Sequence, residues 1–156
     1  MLFRSPVRLN NVGVSFQHRF KHTRDLDDIS NAISHQQRAV HLTSEGHADM
    51  PSRLKTLGNS FHVHFEHTGN LADISEAISH QQRAVHLTPK GHADMPHQLS
   101  DLGNSFQCRF GHTGDLGDIS EAISLQQRAI NLTPEGHASM PHLLNNLGMS
   151  FQHRFY

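Results

Sequence analysis

Apolar residues recur along this chain at spacings of three and four, and that recurrence is itself repeated every 45 residues. Leu54, Leu57, Gly58, Phe61 and Phe65 fall on one face of a helix, and Leu99, Leu102, Gly103, Phe106 and Phe110 repeat the series in register. A second series, Ile74, Ala77, Ile78, Gln81, Ala84 and Val85, describes another helical face that stops near Leu87, where Pro89 and Gly91 follow as breakers. The same interval separates Pro51, Pro96 and Pro141, and a partial earlier copy carries Pro6, Gly13, Phe16 and Ala32. Each unit therefore predicts two helices. The chain opens with a helix of the first type, Pro6 to Phe20, and closes with another, Pro141 to Tyr156, so that seven helices are expected.

Local signals mark the ends of these helices. Asp94 ahead of Met95 and Pro96, and Ser139 ahead of Met140 and Pro141, place an N-cap oxygen before a proline in the first turn. Thr68 and Gly69, or Thr113 and Gly114, end the first helix with a glycine able to take the left-handed conformation. The second helix opens at Asn70 or Asp115, with Asp73 or Asp118 near the positive end of its dipole. Gly58 on the first face, with Ala77 and Ala84 on the second, predicts a close helix crossing. A helical glycine costs about 1 kcal/mol relative to alanine, and its return at Gly13, Gly103 and Gly148 calls for a packing reason.

Charge and composition narrow the function. A formal net charge of −1 over 156 residues supplies no electrostatic footprint for nucleic acid or an acidic membrane. The one cysteine, Cys108, cannot form an internal disulfide, and neither a secretory leader nor a bilayer-length apolar run is present, so a cytoplasmic location is expected. Sixteen histidines raise the question of metal. His18 and His22, or His64 and His67, could place two imidazoles on one helix face, but two ligands do not make a site and no HExxH arrangement accompanies them. The expectation is no metal and no cofactor. His47, His92 and His137 read as linker residues, and His67 and His112 as favourable charges near helix C-termini. Cys108 stands where other copies have Val63 and His153, and no phosphate loop, nucleophile elbow or paired-carboxylate pattern appears, so no catalytic residue is assigned.

The order Leu57-Gly58, Phe61, Ala77, Ala84 and Pro89 resembles the tetratricopeptide repeat, and it recurs through Pro134, with Ser44 in the first copy's proline slot. In detail, Leu144 to Gly148 and the linker from Gly91 to Pro96 look like the longer repeats of kinesin light chains and of large fungal proteins, some of which precede a caspase-like CHAT domain. The resemblance implies one repeat domain over residues 1–156 and an all-α right-handed solenoid of about three and a half hairpins; the uncovered apolar residues of the last helix make a fragment of a longer array, or two chains stacked end to end, the expectation. Two departures stand out. Gly58 and Ala77 are seven residues further apart than in the common form, so each helix should be about one turn longer. Gln36, Gln81 and Gln126 occupy the position of a large aromatic, and a semi-buried amide there requires hydrogen-bond partners.

The same resemblance implies a non-catalytic scaffold whose first helices line a concave groove for an extended peptide or a partner helix. Carried onto this chain, the groove positions are Asn10, Asn11, Val14 and Gln17, then Lys55, Asn59 and His62, then His97, Asn104 and Gln107, then Asn145, Asn146 and Gln152. Amides that both donate and accept suit a peptide backbone. With Lys55 nearly alone as a cation, a carboxylate-clamp mode is disfavoured. The alternatives are a regulatory segment of a larger enzyme, such as a CHAT-type protease, and a structural spacer. Because Leu144, Leu147, Phe151 and Phe155 have no following helix, self-association through the last helix is a further expectation.

Overall fold

The computed structural model describes residues 5–155. These form seven α-helices: α1 (Pro6–Thr23), α2 (Leu26–His41), α3 (Met50–Thr68), α4 (Leu71–Leu87), α5 (Met95–Thr113), α6 (Leu116–Asn131) and α7 (Met140–Phe155). They pack as sequential antiparallel hairpins at a regular spacing of about 45 residues. α1 runs one turn beyond its expected end at Phe20, because the chain does not leave the helix until Arg24.

Two compact units result, Met1–Leu87 and Thr88–Tyr156. In the first, α1 pairs with α2 and α3 with α4, while α2 packs on α3 and α1 also touches α3. Phe20, Ile29 and Ala32 form one buried cluster with Phe16, Ile33 and Val63 around it, and Met50, Leu54 and Ala84 form another with Val40 and Leu87. In the second unit α5 pairs with α6, and α7 lies against α6 and touches α5. Full burial of an aliphatic or aromatic side chain such as Leu54, Ile74 or Leu99 contributes about 1.5–3 kcal/mol, so these seams are what hold the hairpins closed.

The helix crossings follow the small residues. A Cβ placed on Gly13 would sit 2.6 Å from Gln36 Cγ and 3.1 Å from the Ala32 carbonyl oxygen. At Gly58 the same contacts are Gln81 Cγ at 2.8 Å and the Ala77 oxygen at 3.1 Å; at Gly103 they are Gln126 Cγ at 3.0 Å and the Ala122 oxygen at 3.3 Å. A side chain at Gly13 or Gly58 would therefore force the facing glutamine to shift, and at Gly103 the glutamine and carbonyl would have to give by a few tenths of an ångström. Gly148 has nothing within 4 Å of the corresponding point.

The C-terminal glycines behave as expected. Gly69 and Gly114 have φ of 71° and 73°, and their amides close the helix on the carbonyls of Phe65 and Phe110 at 2.7 and 2.8 Å. In α1 the same place is held by Arg24, at φ 57°.

The N-terminal expectation needs correction. Asp49 and Asp94 adopt right-handed helical angles and make no side-chain cap bond. The linker imidazoles act instead: Nδ1 of His47, His92 and His137 accepts from the backbone N–H of Asp49, Asp94 and Ser139 at 3.0–3.1 Å. An aspartate capped into the helix too early cannot fold back onto its own first turn, whereas an imidazole two residues upstream can reach the amide. Side-chain caps do occur on the second helices, where Asp25, Asn70 and Asp115 accept from Asp27, Ala72 and Gly117 at 2.9–3.0 Å.

Candidate binding surface

Within the first unit α1 lies beside α3, whereas α2 and α4 do not touch; within the second, α5 lies beside α7. First-type helices are therefore neighbours inside each unit. Of the expected groove positions, Asn11, His97, Asn145 and Gln152 are exposed; Asn10, Gln17, Lys55, Asn59, His62, Asn104 and Gln107 are half-buried, and Asn146 is buried.

Several of these polar groups are already occupied. Gln81 Nε2 donates to Asn59 Oδ1 at 2.9 Å, and Gln126 Nε2 donates to Asn104 Oδ1 at 3.2 Å and to Gln107 Oε1 at 3.4 Å. Asn59 and Asn104 thus supply the partners that the buried second-helix amides demand. In the first hairpin the equivalent position is Val14, and both amide atoms of the fully buried Gln36 lack a partner among the described residues. His62 pairs with Glu66 at 3.2 Å, which holds the Glu66 carboxyl below its ordinary range. Asn146 Nδ2 lies 3.4 Å from His142 Nε2. Among the expected groove positions, Asn11, Lys55, His97 and Gln152 make no side-chain hydrogen bond or ion pair among the described residues.

A second recurring contact was not anticipated. Asp118, expected only to face the helix dipole, and Asp28 at the same register of the first hairpin are buried in ion pairs with the preceding helix. Arg19 reaches Asp28 Oδ1 through Nε and Nη2 at 2.9 and 2.6 Å, and Arg109 grips both oxygens of Asp118 at 2.8 Å. Hydrogen bonds from Arg19 and from Thr23, at 2.7 Å, hold the Asp28 carboxyl below its usual range despite the opposing effect of burial. In the middle hairpin His64 takes the arginine's place and Nδ1 meets Asp73. The signal was present in the sequence: Arg19, His64, Arg109 and Arg154 recur every 45 residues, as do Asp28, Asp73 and Asp118, each nine residues later than its partner.

The other candidate chemistry is dispersed. His64 is bound to Asp73, while His67 directs Nδ1 to the Val63 carbonyl and sets its ring edge-on to Phe20, so this pair does not converge on a common point. No group of three or more metal-binding side chains exists among the described residues. Cys108 is half-buried on α5. A cleft of about 370 Å³ lies in the second unit between the two linkers, lined by His92, Met95, His97, Leu132, His137 and Leu143 among others. No described helix is long and apolar enough to cross a membrane.

No protein-family model matches the chain, and none of the curated proteins compared with it is significantly similar.

Proposed function

We propose that this chain is a non-catalytic protein-interaction module of the tetratricopeptide type, in which the hairpins continue a right-handed solenoid and the first helices bind an extended peptide. The observation that supports this reading is the side-by-side placement of α1 with α3 and of α5 with α7, which makes first helices of consecutive repeats neighbours in each unit. Asn11 and Lys55 serve the first unit; His97, Asn145 and Gln152 serve the second. Asn59 and Asn104 are better assigned to the interior amide bonds than to ligand. Each peptide hydrogen bond adds only about 0.5–1.5 kcal/mol, and ordering the peptide opposes binding, so affinities are micromolar or weaker unless apolar anchors contribute.

Selection from a displayed library of random peptides, followed by fluorescence anisotropy on synthetic hits, tests the proposal. Binding that falls about tenfold in Asn11→Ala/Lys55→Ala or in His97→Ala/Gln152→Ala, with melting unchanged, supports it. Failure to enrich any peptide, or hits indifferent to both double variants, overturns it.

A further inference from the structure

The cleft between the two linkers of the second unit, about 370 Å³ in volume, is of a size that holds a small molecule. Its apolar lining is formed by Met95 and Leu143, both anchored in the interior, and by Leu132, which is 53% exposed and so has side-chain surface left to offer an occupant. The polar lining has one chemical sense. Nδ1 of His92 and of His137 accepts the backbone N–H of Asp94 and of Ser139, each at 3.1 Å, so in the neutral ring the proton stands on Nε2 and each imidazole has a donor to give. The carbonyl oxygens of the same two histidines already accept from the backbone N–H groups of Met95 and Met140, at 3.1 and 3.0 Å. No carboxylate belongs to the lining: Asp94 and Glu135, the acidic residues of the two linkers, are exposed and stand outside it.

Donors set among apolar walls specify an occupant with an acceptor at one end and a hydrocarbon body. An ionised acceptor makes hydrogen bonds roughly twice as strong as a neutral one. The first turns of α5 and α7 border the cleft, so the positive ends of two helix dipoles add to the same preference. We infer that the cleft binds a small carboxylic acid as its anion, the carboxylate on the imidazoles of His92 and His137 and the apolar body against Met95, Leu132 and Leu143. The site goes beyond the peptide surface proposed above, with which it shares only His97.

Titration of the full chain with 4-phenylbutyrate at neutral pH, followed by amide and imidazole NMR shifts, tests the inference. A probe of this size should bind with a dissociation constant on the order of 1 mM, its saturable shifts gathered at His92, Met95, His137 and Leu143. The neutral 4-phenylbutyramide should bind about threefold or more weakly. His92→Asn combined with His137→Asn removes both Nε2–H donors, while each new Oδ1 takes over the bond to the amide two residues on, as in an Asx turn. That variant should melt as the parent does and lose about fivefold or more in affinity. Leu132→Glu sets a like charge on the exposed wall without touching the linker bonds, and should abolish measurable binding; it decides the matter if the asparagine variant melts early. Shifts that scatter over the chain or fail to saturate, equal affinity for acid and amide, or full affinity in a folded variant would each overturn the inference. None of these changes touches Asn11, Lys55 or Gln152, so such a failure leaves the peptide surface standing.

Discussion

Gln81 crosses from α4 to donate its amide to Asn59 on α3 at 2.9 Å, and its own Cγ occupies the space that a side chain on Gly58 would need. One residue thus sets both the closeness of the crossing and its polarity. Glutamine's narrow stem fits the space opposite the glycine at this separation. The cost is a buried amide that must find a partner, and the hairpins differ in how well they meet it.

The first hairpin meets it worst, because Val14 stands where Asn59 and Asn104 stand later and Gln36 is left without a partner among the described residues. Val14→Asn should therefore stabilise the protein by about 1 kcal/mol, the net worth of a hydrogen bond to a group otherwise buried unpaired. Asn59→Val should do the reverse, at about 1–3 kcal/mol. Urea denaturation midpoints read both. A destabilised Val14→Asn would show that Gln36 is satisfied by another arrangement.

Glycines at equivalent positions should respond oppositely. In Gly103→Leu the new side chain meets Gln126 and the Ala122 carbonyl, and overpacking of this kind costs about 1–3 kcal/mol. Gly148→Ala enters open space on an exposed helix face and should gain up to about 1 kcal/mol from helix propensity alone. Thermal melting of the two variants distinguishes a packing role from a merely tolerated residue: equal effects would sink the crossing argument.

Arg24 is the one non-glycine residue with positive φ among those described, at a site where Gly69 and Gly114 serve in the other hairpins. Left-handed geometry costs an L-residue roughly 1–2 kcal/mol, and Arg24 recovers part of that through its contact with His67 and its place over Phe20. Arg24→Gly should raise stability by about 1 kcal/mol with no change in fold, measurable by chemical denaturation. An unchanged or lowered midpoint would assign the greater weight to the Arg24 side-chain contacts.

Repetition made the helices, their crossings and the glycine-terminated ends legible in the sequence, because period and small-residue placement report directly on packing. The cap of a first-type helix such as α5 is not legible in the same way: an aspartate ahead of the proline carries the same letters whether the carboxylate caps or the upstream histidine does. The ion pairs escaped for another reason. Arg19 and Asp28 lie on different helices, and only the recurrence of the nine-residue offset, not either residue alone, points to their meeting. Groove amides were ambiguous in the same way, since Asn59 could turn toward a ligand or toward Gln81, and composition does not record the direction.

His80 gives the first unit a predictable acid sensitivity. Its ring is stacked on Phe61 at 5.7 Å, and burial lowers its pKa from the ordinary value near 6.5, with Arg83 adding to the effect and Glu76, 3.3 Å away, opposing it. The neutral form is the one the fold favours. Above about pH 6.5 both folded and unfolded chains hold a neutral imidazole and the contribution is fully present. As pH falls below that value the unfolded chain takes up the proton first, so stability declines until the folded chain is protonated as well. The last full hairpin carries Leu125 at this register, buried without any such penalty. His80→Leu should accordingly remove a measurable part of the stability lost between pH 7 and pH 5.5, the interval in which an unfolded histidine titrates. It should also remove a buried Nδ1 that has no partner among the described residues. Denaturation midpoints across that range provide the check, and an identical slope in parent and variant would show that His80 is not the group responsible.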